Sequence, residues 1–192
     1  MQDVKWSERP PRRWYFAALA VVTLISLYGA SGPVWNFQLV LLMLPAWMVL
    51  GLHWLVRTAV AVGSMGRAAA RRQWLRWMSA PLVVLGLVVV LAVDGPMWVR
   101  FTLSEPSMQA YAKTIAAGNE IDRSCRWLGL YHVCWGEPVE GGALLVVGDI
   151  PSIQTMGFAW LPGGQEPSDA GYENYYTPFT GTWWDWQGWD SL

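Results

Sequence analysis

Residues 14–56 read WYFAALAVVTLISLYGASGPVWNFQLVLLMLPAWMVLGLHWLV and contain no aspartate, glutamate, lysine or arginine. Residues 57–76 then carry five arginines and no acidic side chain, namely Arg57, Arg67, Arg71, Arg72 and Arg76. A long uncharged apolar stretch is typical of helices in lipid, and a cluster of arginines beside it is typical of a cytoplasmic loop. This contrast predicts a membrane protein and its orientation.

The apolar sequence divides into three segments of about the length needed to cross a bilayer. A helix rises ~1.5 Å per residue and therefore needs roughly 20 residues to cross ~30 Å of hydrocarbon. We predict three transmembrane helices, at about 14–31, 37–56 and 77–96. A short uncharged link joins the first two, and the Arg-rich loop 57–76 joins the last two.

The basic residues give the orientation of these spans. Four of them precede the first span: Lys5, Arg9, Arg12 and Arg13. The link between the first two spans has no positive charge, so the positive-inside rule places residues 1–13 and the loop 57–76 in the cytoplasm. Residues 101–192 then lie on the outer side. This topology accounts for the arginines, so we do not expect them to bind nucleic acid. We expect the lipid bilayer as a partner.

The first segment also resembles a secretory signal peptide. Its apolar core 17–27 follows basic residues and leads into the small residues 29–31. We favour an uncleaved first helix, because flanking aromatic residues extend the segment to membrane width. Both alternatives leave the remaining topology unchanged.

Residues 101–192 differ from the membrane half in being polar, acidic and rich in glycine and aromatic residues. After Arg100, three basic residues stand against eleven acidic ones, a net charge of about −8 that the whole-chain value of −1 conceals. A helix is predicted from Ser104 to Gly118, since Ser104 can cap it, Pro106 fits the first turn and apolar residues then recur at helical spacing.

The pattern beyond this helix predicts strands. Four segments are rich in β-branched or aromatic residues: 127–135, 143–148, 155–161 and 182–187. Loops are predicted at 136–142 and 162–171. We therefore predict a small exported α+β domain with an antiparallel sheet that one helix covers on one face.

The chain has two cysteines, Cys125 and Cys134, and both fall in the exported segment, where an oxidising environment favours a disulfide. A straight strand would hold them about 30 Å apart, far beyond the reach of a disulfide, so the chain must turn between them. Gly129 is the natural position for that turn. Two free buried thiols are the alternative.

The C-terminal end packs four tryptophans around an acidic residue: Trp183, Trp184, Asp185, Trp186 and Trp189. In a strand, Trp184 and Trp186 would face one side, and Trp183 and Asp185 the other. Aromatic rings beside a carboxylate can bind sugars or cations, which makes these five residues a candidate ligand or interface site. Packing in a small core is the commoner use of such residues, and we favour it.

No arrangement of residues predicts catalysis, a metal site or a cofactor. His132 is the only histidine in the exported segment, so no histidine pair is available there to hold a metal. The glycine pairs at 141–142 and 163–164 lack the strand–loop–helix setting of a phosphate-binding loop. We expect no enzyme activity and no cofactor.

Two short stretches resemble sequences of a known group. The sequence RFTLSEP at residues 100–106, which follows an Arg-rich loop and an apolar span, and GLYHV at 129–133 are similar to a loose group of small actinobacterial membrane proteins with an exported C-terminal domain. The similarity covers the third span and the first third of the exported segment. The resemblance implies the same topology and supplies no catalytic residues.

The sequence therefore predicts a membrane-anchored protein whose exported, acidic, Trp-rich domain interacts with another envelope protein or with a cell-wall polymer. The alternative is a sensor or binding module that takes a sugar or a lipid through the Trp-rich end.

Overall fold

The computed structural model describes residues 13–33, 37–64, 74–118, 121–148, 155–168 and 174–188. These residues form four helices and six strands: α1 (Arg13–Gly29), α2 (Phe37–Ser64), α3 (Trp74–Ala92), α4 (Gly95–Ala117), β1 (Arg126–Leu128), β2 (Tyr131–Val139), β3 (Gly142–Val147), β4 (Thr155–Trp160), β5 (Asn174–Thr180) and β6 (Trp183–Gly188). The chain divides into two compact units. The first contains α1, α2 and α3, and the second contains α4, the strands and the link that follows α1.

One helix in the described part of the chain is long and apolar enough to cross a membrane, the α2 segment Gln38–Gly63. The number rises to two if α3 and α4, which are separated by a break, are counted as one interrupted span, while α1 is a shorter apolar helix of 17 residues. Length and composition thus support one or two spans rather than the predicted three. The difference arises because α1 ends at Gly29 and α3 at Ala92, before the predicted span ends at 31 and 96.

In the first unit apolar side chains are exposed, and hydrogen bonds from polar side chains connect α1 with α2. On α2, Met48 is 73% exposed. The Trp47 indole donates a hydrogen bond to the hydroxyl of Ser26 on α1 at 3.1 Å, and the Tyr15 hydroxyl donates to the carbonyl of Leu50 at 3.4 Å. Apolar exteriors with hydrogen bonds between helices are typical of helix packing in lipid.

The predicted loop 57–76 begins later than expected. Because no glycine or proline stands between Val56 and Gly63, α2 continues to Ser64, and Arg57 is a buried residue of this helix rather than a loop residue. Arg67, Arg71 and Arg72 lie outside the described residues, and Arg76 belongs to α3, with a side chain outside the described set. Their contribution to membrane orientation stays a prediction.

The predicted helix start at Ser104 is wrong, because α4 begins nine residues earlier, at Gly95. Asp94, with φ of 49°, separates α3 from α4, and Pro96 occupies the first turn of α4, where its missing N–H costs nothing. Ser104 is fully buried inside the helix, and its hydroxyl donates to the carbonyl of Arg100 at 2.8 Å instead of capping a terminus. Pro106 is accommodated on the exposed side. The predicted end at Gly118 is confirmed.

The strands form one antiparallel sheet in the order β1-β2-β3-β4-β6-β5. The predicted strands at 143–148, 155–161 and 182–187 correspond to β3, β4 and β6, and the predicted strand 127–135 divides into β1 and β2. Strand β5, which contains Pro178, is not among the predicted strands. A proline is tolerated there because β5 lies at the edge of the sheet, where one side of the strand needs no hydrogen bonds.

The predicted loop 136–142 is also wrong, because β2 continues to Val139 and only Glu140 and Gly141 separate it from β3. Gly136 lies within β2 at a point where α4 approaches closely. A Cβ at this position would stand 3.0 Å from the side chains of Ile115 and Tyr111. A glycine inside a strand often marks such a close approach.

Both faces of the sheet bury apolar side chains. The cluster between α4 and the sheet has members from the helix and from five strands or their ends: Met97, Phe101, Met108, Tyr111, Ala112, Ile115, Leu128, Tyr131, Val133, Ala143, Leu145, Val147, Phe158 and Trp183. A second cluster contains Leu144, Ala159, Leu161, Tyr176 and Trp186. Consecutive residues of β3 enter different clusters, as expected of side chains that alternate across a sheet. The predicted mixture of a covering helix and an antiparallel sheet is confirmed.

Candidate functional site

Cys125 and Cys134 form a disulfide, as predicted, at the open end of the β1–β2 hairpin. Their sulfurs are brought together by a tight turn at Gly129 and Leu130, and Gly129 has a φ of 62°, which glycine adopts at little cost. The prediction that the chain turns at Gly129 is therefore confirmed. Cys125 is exposed and Cys134 is partly buried, so the disulfide can be reached from solution.

The turn of this hairpin is docked on α4. A Cβ at Gly129 would lie 2.6 Å from the Cα of Ser104, so only glycine fits between the turn and the helix. The backbone N–H of Leu130 donates to the Ser104 hydroxyl at 2.9 Å. These contacts fix the position of the hairpin in the second unit.

Arg100 precedes Ser104 by four residues on α4 and binds the same hairpin turn. Its guanidinium is buried and donates twice to the carbonyl of Leu130, at 3.2 and 2.6 Å, and once to the hydroxyl of Ser31 at 3.0 Å. It also lies 4.1 Å above the ring of Tyr131, whose hydroxyl donates to the carbonyl of Ser31 at 2.9 Å. The link after α1 thus belongs to the same polar network as the hairpin.

Asp122 organises the segment that leads into Cys125. One carboxylate oxygen accepts hydrogen bonds from the N–H and hydroxyl of Ser124, and the other accepts from the Tyr111 hydroxyl at 2.8 Å and from Arg126 at 2.7 Å. The hydrogen bonds from Ser124 are the main reason that the pKa of Asp122 falls to about 2. Burial, followed by the hydrogen bond to Asp122, raises the pKa of Tyr111 to about 12. The ionised Asp122 therefore stays a pure acceptor over the physiological range.

His132 completes a cluster that the sequence analysis did not find. Its Nδ1 lies 3.7 Å from the sulfur of Cys134, and one potential ligand atom from each of Cys125, His132 and Cys134 lies within 4.8 Å of the others. The indole of Trp127 packs against the imidazole with ring centres 5.0 Å apart. This arrangement contains one histidine and two cysteines rather than a pair of histidines. The usable signal is the His-x-Cys spacing in a strand, which puts both side chains on one face.

The Trp-rich strand β6 places its side chains as predicted, on alternating faces. Trp183 is 1% exposed in the cluster beneath α4, Trp186 is buried in the second cluster, and Trp184 packs against that second cluster while partly exposed. Asp185 is partly buried, and Trp189 lies outside the described residues. The burial of Trp183 and Trp186 favours the packing alternative, and a ligand role for this set stays a prediction.

Asp185 lies on the face of the sheet that α4 covers, opposite Phe158 on the neighbouring strand. Its Oδ1 is buried and has no hydrogen-bond partner in the described part of the chain. Burial is the main cause that raises the pKa of Asp185 to about 7, and the negative charge of Asp94 adds to it. This carboxyl group therefore titrates near neutral pH.

Comparisons with known proteins add no relative to this description. No family model matches the chain, and no similar curated protein or solved structure was found. The resemblance carried by residues 100–106 and 129–133 stays a prediction. The fold and the hairpin therefore have to be interpreted from their own geometry.

Proposed function

We propose that this chain is a multi-pass membrane protein that holds its C-terminal α+β domain on the outer side of the membrane. There the domain binds another envelope protein or a cell-wall polymer through the β1–β2 hairpin. In this proposal α1, α2 and α3 each cross the bilayer. The 17 residues of α1 are at the short end of the length that suffices for a span, which is about 17–25 residues.

The contact between the α1–α2 link and the C-terminal domain supports this topology. Ser31 accepts a hydrogen bond from Arg100 through its hydroxyl and one from Tyr131 through its carbonyl. In the proposed topology these hydrogen bonds connect a link and a domain that lie on the same side of the membrane. Three spans with a cytoplasmic N-terminus predict the same arrangement, and the absence of positive charge from the link favours the outer side.

The exposed apolar surface of the hairpin supports a role in partner binding. Trp127 is 66% exposed and Leu130, at the turn, is 47% exposed. Tryptophan at such a site offers a large contact area with little loss of side-chain freedom on binding. The disulfide and the contacts of the turn with Ser104 and Arg100 hold this surface in one conformation before a partner arrives, which lowers the entropic cost of binding.

A photo-crosslinking amino acid at Leu130 tests this proposal in intact cells. We expect irradiation to give a discrete adduct that weakens strongly when Trp127→Ala is added. The same amino acid at Lys113, an exposed position on α4, is the control and should give no such adduct. Equal adducts at both positions, or none from a folded and exported protein, would contradict a partner surface on the hairpin.

The topology and the alternative ligand need separate measurements. A C-terminal alkaline phosphatase fusion should be active and a C-terminal green fluorescent protein fusion dark if the domain is exported. The alternative, a sugar- or lipid-binding module at the C-terminal tryptophans, predicts a saturable fluorescence change with cell-wall fragments or lipids that disappears in Trp184→Ala.

A further inference from the structure

The sulfurs of Cys125 and Cys134 and a ring nitrogen of His132 converge at the open end of the β1–β2 hairpin, within 4.8 Å of one another. We propose that, once a dithiol reductant has opened the disulfide, these three side chains bind one thiophilic metal ion of the Zn²⁺ type. Two thiolates and one imidazole are a ligand set that zinc prefers in proteins. The hairpin would then exist in two exclusive states, disulfide-bonded or metal-bound.

The distances fit a tetrahedral site with little rearrangement. Zn–S bonds of ~2.3 Å and Zn–N bonds of ~2.1 Å place neighbouring ligand atoms roughly 3.5–3.8 Å apart. The 3.7 Å between the Cys134 sulfur and Nδ1 of His132 already meets this requirement. The two sulfurs have to separate to a similar distance after reduction. Cys125 is exposed, so rotation of its side chain can supply that movement.

The surroundings hold two of the three ligands in place. His132 and Cys134 flank Val133, which is fully buried in the cluster beneath α4 and anchors β2. The N–H of Gly148 donates to the carbonyl of His132 at 2.8 Å, and a Cβ on Gly148 would approach the Cys134 sulfur to 3.0 Å. Trp127 packs against the imidazole from the other strand. The contact with Trp127 restricts the orientation of the ring, and the contacts of Gly148 restrict the backbone of His132 and the side chain of Cys134.

Opening the disulfide is a two-electron reduction. The dithiol transfers two electrons and two protons to the disulfide, which yields the thiols of Cys125 and Cys134 and the disulfide of the reductant. The metal ion then binds both sulfurs as thiolates and the neutral imidazole of His132, and the two thiol protons pass to water. Three protein ligands leave a fourth coordination position, and the exposure of Cys125 leaves that position accessible to water.

The test uses the full chain in detergent micelles, reduced with a phosphine that is then removed without air, and Co²⁺ as the spectroscopic probe. We expect the reduced chain to bind one Co²⁺ with thiolate-to-cobalt charge-transfer absorption, and Zn²⁺ to displace it. About two protons should be released per metal ion near neutral pH, because the metal binds both thiols as thiolates. The disulfide-bonded chain should show neither signal.

The two histidines of the chain provide a matched pair of variants. His132→Ala should weaken metal binding by about tenfold or more, since it removes one of three ligands, whereas His53→Ala, on α2, should leave it unchanged. His132→Ala retains both cysteines, so thermal unfolding of its oxidised form reports whether the variant folds. A second comparison uses Cys125→Ala/Cys134→Ala, which should bind no metal.

Four results would overturn the proposal. They are an absence of charge-transfer absorption in the reduced chain, equal metal affinities of the His132→Ala variant and the original chain, binding by the double cysteine variant, and a reduced chain that no longer folds with or without Zn²⁺.

Discussion

The indole N–H of Trp54 on α2 donates a 3.0 Å hydrogen bond to the backbone carbonyl of Trp77, four residues before Pro81 on α3. In an α-helix this carbonyl would accept from the N–H of residue 81, which proline lacks. The neighbouring helix therefore supplies the donor that α3 cannot. A carbonyl without a donor costs free energy when it is removed from water, so the hydrogen bond from Trp54 explains how the proline is tolerated in α3.

This relationship predicts that the cost of Trp54→Phe depends on residue 81. Alone, the substitution should lower the free energy of unfolding by about 1–3 kcal/mol, because a buried carbonyl loses its partner. After Pro81→Ala has restored the N–H, the cost should be clearly smaller. Denaturant unfolding in micelles, followed by far-ultraviolet circular dichroism, gives the double-mutant cycle.

Trp47→Phe is the control for that cycle, because the Trp47 indole donates to Ser26 on α1 and not to the carbonyl that Pro81 leaves without its helical donor. Its cost should be the same with proline or alanine at position 81. If Trp54→Phe behaves in the same way as Trp47→Phe, the carbonyl of Trp77 does not depend on Trp54.

Gly129 and Gly141 provide a second prediction, because both have positive φ, 62° and 80°, and only Gly129 faces a neighbour. Gly141→Ala should cost about 1–2 kcal/mol, the strain of a left-handed conformation. Gly129→Ala should cost several kcal/mol, since its Cβ would overlap the backbone of Ser104. Thermal unfolding of both variants measures the difference, and equal losses would mean that the hairpin turn is not packed on α4.

The parts of the fold that depend on local sequence were predictable. The paired cysteines, the turn at Gly129 and the strands β3, β4 and β6 each follow from residue type and spacing within a few positions. β5 was missed because Pro178 argues against a strand unless the strand lies at an edge, and edge position is a property of the whole sheet.

The same distinction applies to α4 and to the hairpin site. Ser104 and Pro106 together look like a helix start, whereas in the structure Ser104 lies within α4 and packs against Gly129, which is distant in sequence. His132 is not predicted as a metal ligand, because residues 101–192 contain no second histidine that could pair with it. Its proximity to Cys125 depends on the pairing of β1 with β2, although its proximity to Cys134 is local.

Arg100 gives a third prediction, which concerns the hairpin. Arg100→Lys keeps the charge and loses the planar group that donates to Leu130 and Ser31 together and stacks on Tyr131, so we expect a loss of about 2–4 kcal/mol in the free energy of unfolding. Arg123→Lys is the control, because Arg123 is exposed and its guanidinium lies 5.2 Å from the centre of the Trp135 ring. Chemical denaturation compares the two, and a similar small loss in both would show that the buried network contributes little.

Asp185 predicts how stability depends on pH. Burial, with a contribution from Asp94, raises its pKa from 3.8 to about 7. Between these values the folded chain keeps a proton that the unfolded chain releases, so the free energy of unfolding falls as pH rises from about 4 to about 7 and then levels off. With ~1.4 kcal/mol per pKa unit, a rise of about 3 units corresponds to a total change of roughly 4 kcal/mol. Thermal unfolding between pH 4 and 8 measures it.

Two substitutions separate this effect from other titrating groups. Asp185→Asn cannot ionise, so it should remove the decline and make the chain more stable than the original at pH 8. Asp94→Asn keeps a residue that tolerates a positive φ and removes the nearby charge, so the decline should persist with its midpoint shifted to lower pH. If Asp185→Asn leaves the pH profile unchanged, another group causes the decline. If Asp94→Asn leaves the midpoint in place, burial alone raises the pKa of Asp185.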